Sequence, residues 1–241
     1  MKTLAWTLMP MLSLAALASA AGSVPQFDAA RLKTGSFTYR DIVNGKPGNL
    51  STSTIARQPD GTYRFTADIP GFDQSWETVA TPGMSPVTTA LRMRTRDGRR
   101  YVMTLNYAGS RVSGEADTAP SGDSRLPAMQ APVSGEIGSD TVDQRIDWAT
   151  VMSTDAKPGQ SFEFKVYDAK TGSSLSHCAV SDAGMMDTPE GKIAALRFTY
   201  TVYKAGGAET YVVYANAAAP RMMLREDLRG DLTITLVKAA P

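Results

Sequence analysis

The chain has 241 residues, with 25 Lys and Arg against 24 Asp and Glu, one His and one Cys. This near-neutral balance excludes the strongly basic face of a nucleic-acid binder, so DNA and RNA are set aside as partners. The lone Cys178 and the lone His177 exclude an intramolecular disulfide and the usual nitrogen-and-sulfur cage of zinc.

Lys2 is the only charge before an apolar run from Leu4 to Leu17, which ends in the small residues Ala18-Ser19-Ala20. The pattern predicts a signal peptide over residues 1–20, cleaved to leave a mature chain of residues 21–241 outside the cytoplasm. Pro10 interrupts the run, which is short for a spanning helix, and no basic stop-transfer cluster follows. No transmembrane segment is therefore expected after cleavage. No Cys lies near the cleavage site to carry a lipid. The expected location is the periplasm, with release from the cell left open.

From Gly35 onward, short alternating runs punctuated by Gly, Asn, Asp and Pro predict antiparallel strands joined by turns. The first runs from Ser36 to Val43 and is closed by Asn44-Gly45, a pair suited to the positive φ values of a hairpin turn. Leu50 to Gln58 and Thr62 to Ile69 follow, joined through Pro59-Asp60-Gly61. The segment from Thr89 to Tyr107 reads as a hairpin in which Asp97-Gly98 is a two-residue turn and Arg96 pairs with Arg99. That register puts Arg92, Arg94, Tyr101 and Met103 on one face and Leu91, Met93, Arg100 and Val102 on the other.

Residues 115–140 are rich in Ser, Gly, Pro, Ala and Asp and predict a long loop, either a flap or a seam. A helix is expected next, capped by Ser139, Asp140 or Thr141, running through Val142, Ile146, Ala149 and Val151 and ended by Pro158-Gly159. Strands resume at Ser161–Tyr167, Leu175–Val180, Ile193–Lys204, Glu209–Ala215, Arg221–Glu226 and Leu232–Lys238. The expected fold is mainly β, a curved antiparallel sheet or half-open barrel of about 11 strands with one or two short helices.

Candidate chemistry is sparse. His177 and Cys178 are adjacent, and neighbours on a strand point to opposite faces, so they cannot share a proton as a nucleophile pair. The G-x-S-x-G elbow of a serine hydrolase does not occur. Asp140, Asp143 and Asp147 fall on one helical face and would attract a cation, but capping and a solvated acidic first turn explain them as well. No calcium-loop spacing is present. No catalytic residue, metal ligand or cofactor is nominated.

The arginine hairpin offers either an anion-facing surface or a solvated face that discourages edge pairing. Methionines such as Met93, Met103, Met222 and Met223 either fill the core or line an adaptable apolar cavity, and the aromatics at Phe162, Phe164, Phe198, Tyr200, Tyr211 and Tyr214 share that ambiguity. Arg94, Tyr101 and Met103 are the nominated ligand-binding residues, at the mouth of such a cavity.

The signal peptide, the long β-meander, the order of the Asp143–Trp148 helix and the Pro158-Gly159 turn, and the segment Asp187-Thr188-Pro189-Glu190-Gly191-Lys192-Ile193 together resemble uncharacterised exported β proteins of Gram-negative bacteria. Those families look akin in fold to the periplasmic lipoprotein carriers, in which a half-open barrel surrounds an apolar cavity. The resemblance implies a lipid or other hydrophobic ligand in the concave face. The chain departs from it in having one clear helix and no lipid-anchor Cys. The expected function is a non-enzymatic periplasmic protein that binds a hydrophobic ligand, with a role in envelope maintenance. The alternatives are an interaction module docking on an envelope protein partner and a glycan-acting enzyme using paired carboxylates such as Glu163, Glu190, Glu226 and Asp227.

Overall fold

The computed structural model describes residues 26–95, 98–119, 129–228 and 230–240. The expected signal peptide over residues 1–20 lies outside them, as do Arg96 and Asp97 of the predicted hairpin turn and residues 120–128 of the predicted loop.

Turn chemistry sets the outline of the sheet. Asn44 and Gly45 take φ values of 51° and 71°, and between them β1 (Gly35–Val43) folds back on β2 (Lys46–Arg57) as expected. A meander continues through β3 (Tyr63–Ile69), β4 (Gln74–Ala80), β5 (Pro86–Arg94), β6 (Arg100–Ala108), β7 (Arg111–Ala119) and β8 (Met129–Glu136). A second series follows: β9 (Thr141–Asp143), β10 (Ser161–Asp168), β11 (Gly172–Thr188), β12 (Gly191–Lys204), β13 (Gly207–Asn216), β14 (Met223–Asp227) and β15 (Leu232–Ala240).

The fifteen strands of the described residues belong to one sheet, because β1 pairs with β15 and so fuses the two series edge to edge. The pairs are antiparallel except β9 with β10. β8 and β9 stand at opposite ends of the strand order, yet the sheet curls until the Tyr107 hydroxyl of β6 donates to the Asp143 carboxylate of β9. The result is an open, curved sheet with a concave face.

Fifteen strands stand where about 11 were expected. The additions are β4, β7, β8 and β9. β7 and β8 are built from small and polar residues, so burial leaves little hydrophobic period in their sequence, and they occupy much of the stretch predicted as a loop. Gly114 on β7 faces Leu105 of β6, and a Cβ there would lie 2.0 Å from the Thr104 carbonyl oxygen. That glycine permits the close strand pairing.

The predicted helix is also corrected. Thr141–Asp143 is a strand, Gln144–Ile146 a 3₁₀ turn, and only α1 (Asp147–Met152) is α-helical. All six residues of α1 are buried inside the curl. A helix without a charged or polar face belongs in a core rather than on a surface. Its polar side chains are satisfied locally: Thr150 Oγ1 donates to the Ile146 carbonyl and Ser153 Oγ to that of Thr150. Arg221 donates to the carbonyls of Met152 and Thr154 at 2.9 and 2.6 Å, tying down the C-terminal end.

Around α1 a large core gathers Phe37, Phe65, Phe162, Phe164, Phe198 and Val213 from both series. A smaller cluster of Leu91, Tyr101, Met103, Leu105, Tyr107, Val112, Ile137 and Tyr167 packs where the two ends of the sheet meet.

Candidate functional site

Inward-facing residues of β1 to β5 and β12 to β15 do not fill the space above the N-terminal end of α1. A cavity of about 560 Å³ remains there, within the ordinary size of a small-molecule site. Trp76, Leu91, Met93, Met223, Leu228 and Ile234 supply an apolar wall, and Gln144, Arg145, Asp147 and Trp148 form the floor. Tyr200 and Tyr211 line it as a stacked pair with centroids 5.2 Å apart.

Three carboxyl groups line this space; Asp168 is ion-paired with Arg145, and the other two have no ion pair among the described residues. Asp147 is 5 % exposed, and its Oδ1 accepts the Trp148 backbone N–H at 2.7 Å and the Tyr200 hydroxyl at 3.2 Å. Burial pushes its pKa up to about 7, against those two hydrogen bonds, which favour the charged form. Glu226 of β14 is 8 % exposed and has no hydrogen-bond partner among the described residues. Burial, reinforced by the charges of Asp147 and Asp227, raises it to about 8. Removing an ionised carboxylate from water is costly, and a group that cannot find a partner keeps its proton instead.

Beside the cavity lies a second polar group with a different balance. Asp143 accepts from the Tyr107 hydroxyl and, through Oδ1, from the Arg145 backbone N–H at 2.8 Å. The Arg145 guanidinium stands 3.6 Å from Asp143 and 3.1 Å from Asp168. Burial works against the Arg145 charge, but the two carboxylates outweigh it and hold its pKa above the ordinary value. Because Tyr107 is on β6 and Asp143 on β9, this network binds together the two ends of the curled sheet.

The nominated residues are separated. Met93 pairs with Tyr101 and Arg94 with Arg100, so the register is one residue away from the expected pairing. A slip of one residue moves a whole strand's side chains to the other face. Tyr101 and Met103 are therefore buried with Leu91, whereas Arg94 is exposed and ion-paired with Asp73 at 2.9 Å. Lys170 stands over the Tyr101 ring, 4.7 Å from its centroid. Cys178 and His177 do point to opposite faces: the thiol is buried and shifted upward by burial, and the imidazole lies 4.0 Å from the Glu163 carboxylate.

Asp143 and Asp147, expected on a solvated helical face, are buried instead. The overlooked signal is in the segment Asp147-Trp148-Ala149-Thr150-Val151-Met152, which after its first residue carries no charge and one small hydroxyl, and so draws that first residue inward. In Leu224-Arg225-Glu226, strand alternation places Glu226 on the face of Leu224. Among the described residues no group of three or more His, Cys, Asp and Glu is arranged to hold a metal ion, and no helix is long and apolar enough to cross a membrane.

Fold and site together define a class: an open, curved antiparallel sheet wrapped around a buried helix, with a part-polar cavity at the helix's N-terminal end. The model of the family described as "Protein of unknown function (DUF3108)" matches residues 26–237, and the chain belongs to that family. No curated protein and no solved structure matches it.

Proposed function

We propose that this chain is a non-enzymatic binding protein of the periplasm, exported on its N-terminal segment, that holds a small ligand with a substantial apolar portion in the cavity above α1. The observation that carries the reading is the cavity itself. A sheet of this curvature with a helix inside would otherwise close its core, and here apolar side chains of both series line open space. The reading extends the expected hydrophobic ligand by a polar end, since Asp147, Arg145 and Glu226 border the same space. It rests on these groups and not on likeness to lipoprotein carriers, because a fold alone does not carry function.

Native mass spectrometry of the protein purified without detergent, with organic extraction of whatever comes off it, tests the reading. A reproducible extra mass that proves to be an amphipathic molecule supports it. A clean apoprotein mass, unchanged after incubation with envelope lipids and amphiphiles, overturns it. One observation favours a second reading, a docking module for an envelope protein: among the described residues β8 ends the sheet, pairs with β7 alone, and exposes Ala131, Ser134, Gly135 and Glu136. An added strand from a partner would pair there through main-chain hydrogen bonds. Amide hydrogen exchange that becomes protected along β8 in the presence of an envelope extract would select this second reading.

A further inference from the structure

Of the carboxyl pair at the end of the cavity, Asp147 is only partly committed to the fold and Glu226 has no hydrogen bond with a described residue. We infer that the cavity receives an organic cation, an amine carried on an apolar body, whose ammonium group sits between Asp147 and Glu226. The inference rests on the binding reading above and specifies its ligand.

Three observations carry it. Glu226 is more than nine-tenths buried, borders the cavity and makes no hydrogen bond with a described residue. Asp147 commits only Oδ1 to Trp148 and Tyr200. Of the two cations that line the space, Arg145 is already shared between Asp143 and Asp168, and Lys170 stands over the Tyr101 ring. A wholly apolar ligand would leave both carboxyls desolvated and unmatched, and an anionic one would oppose their ionisation without supplying a donor. An ammonium supplies the missing donors and charge. The adjoining aromatic faces of Trp76, Trp148, Tyr200 and Tyr211 favour a cation further. Two carboxylates without a third ligand are a poor seat for a metal ion, which needs more oxygen donors.

Binding should be linked to protons. The other titratable groups bordering the pair are Tyr39 from β1, Tyr200 and Tyr211 from β12 and β13, Arg145 on the floor, and Asp168 and Lys170 at the end of β10, with Asp227 beside Glu226. Tyr39 and Tyr200 are driven upward by burial and stay neutral. Near neutral pH Glu226, raised to about 8, therefore holds its proton and Asp147, raised to about 7, is partly protonated. A bound ammonium favours the ionised forms and expels those protons, so its affinity rises with pH through this window, by at most tenfold per pH unit for each proton released.

The test is isothermal titration calorimetry of the purified chain with octylamine, octanol and octanoate, at pH 6 and pH 8.5, in buffers of different ionisation enthalpy. Octylamine stays protonated over this range, as a lysine does. The expected result is octylamine binding at least roughly tenfold tighter than octanol at the higher pH, with proton release, and a loss of about tenfold in Glu226→Gln, an order of magnitude typical of a charge-assisted hydrogen bond. Asp147→Asn serves as the second variant, each checked for native circular dichroism. Octanol or octanoate binding as tightly as octylamine would overturn the amine while leaving the cavity a ligand site. Failure of all three to bind would remove the ligand site itself.

Discussion

Asp143 and Asp147 are buried acids four residues apart in sequence, yet they are treated in opposite ways, and Glu226, distant in sequence, shares the treatment of Asp147. Asp143 is fully enclosed but answered by Tyr107, Arg145 and a backbone N–H. Asp147 and Glu226 are almost as enclosed, line open space and have no cation of their own. A compensated charge within a core serves architecture, here the closing of the curl. An uncompensated one at a cavity is retained against its cost in stability, and that asymmetry separates the structural carboxylate from those assigned to the ligand.

Breaking the compensated network should have the largest effect. Arg145→Leu leaves Asp143 and Asp168 without their shared cation, which should cost about 3–5 kcal/mol and lower the thermal midpoint by on the order of 10 °C, read by circular dichroism. A midpoint within a degree or two of the parent would show that the seam does not depend on this charge.

The cavity pair should behave in the reverse sense. Its folded pKa values lie above the usual carboxylate values, so its contribution to stability is fully present near pH 4 and is lost as pH rises through about 7 and about 8. Urea unfolding at pH 5, 7 and 9 should show a decline on this account that Glu226→Gln reduces by on the order of 2–4 kcal/mol. Parallel pH profiles for the two proteins would mean that Glu226 is ionised in the native state at no cost.

Tyr200→Phe sharpens the comparison at Asp147. Loss of that hydrogen bond should cost about 1–2 kcal/mol and move the Asp147 titration upward, followed by the carboxyl carbon shift in NMR. Smallest of all, Arg94→Ala removes an exposed ion pair with Asp73 and should change stability by less than about 1 kcal/mol. Unchanged octylamine binding in that variant would place Arg94 away from the cavity, as the register does.

Much of the β structure was legible because its turns are local. Asn44-Gly45 closes a hairpin, and the Thr188 to Gly191 turn joins two long strands. Strands such as β6, with Tyr101, Met103, Leu105 and Tyr107 alternating with exposed residues, declare their inner face directly. β7 and β8 did not, since their small and polar residues satisfy backbone hydrogen bonds without an apolar period. β9, three residues long and parallel to its neighbour, has no local signature at all.

The site was less legible than the fold. Met103 and Tyr101 were correctly read as sharing a face, but the loop between β5 and β6 shifts their register against Arg94 by one residue. Nothing in Asp143 or Asp147 distinguishes a capping acid from a buried one until the helix is placed.

By itself the sequence determined the dominance of β structure, several hairpin turns, the opposition of His177 and Cys178 and the alternation of most inward faces, all of which depend on residues close in the chain. Only the tertiary structure decided that β1 pairs with β15, that α1 lies inside the curl, and that Asp147 meets Glu226 across the cavity. Those contacts join residues far apart in sequence, and the cost of burying a charge depends on what surrounds it in space.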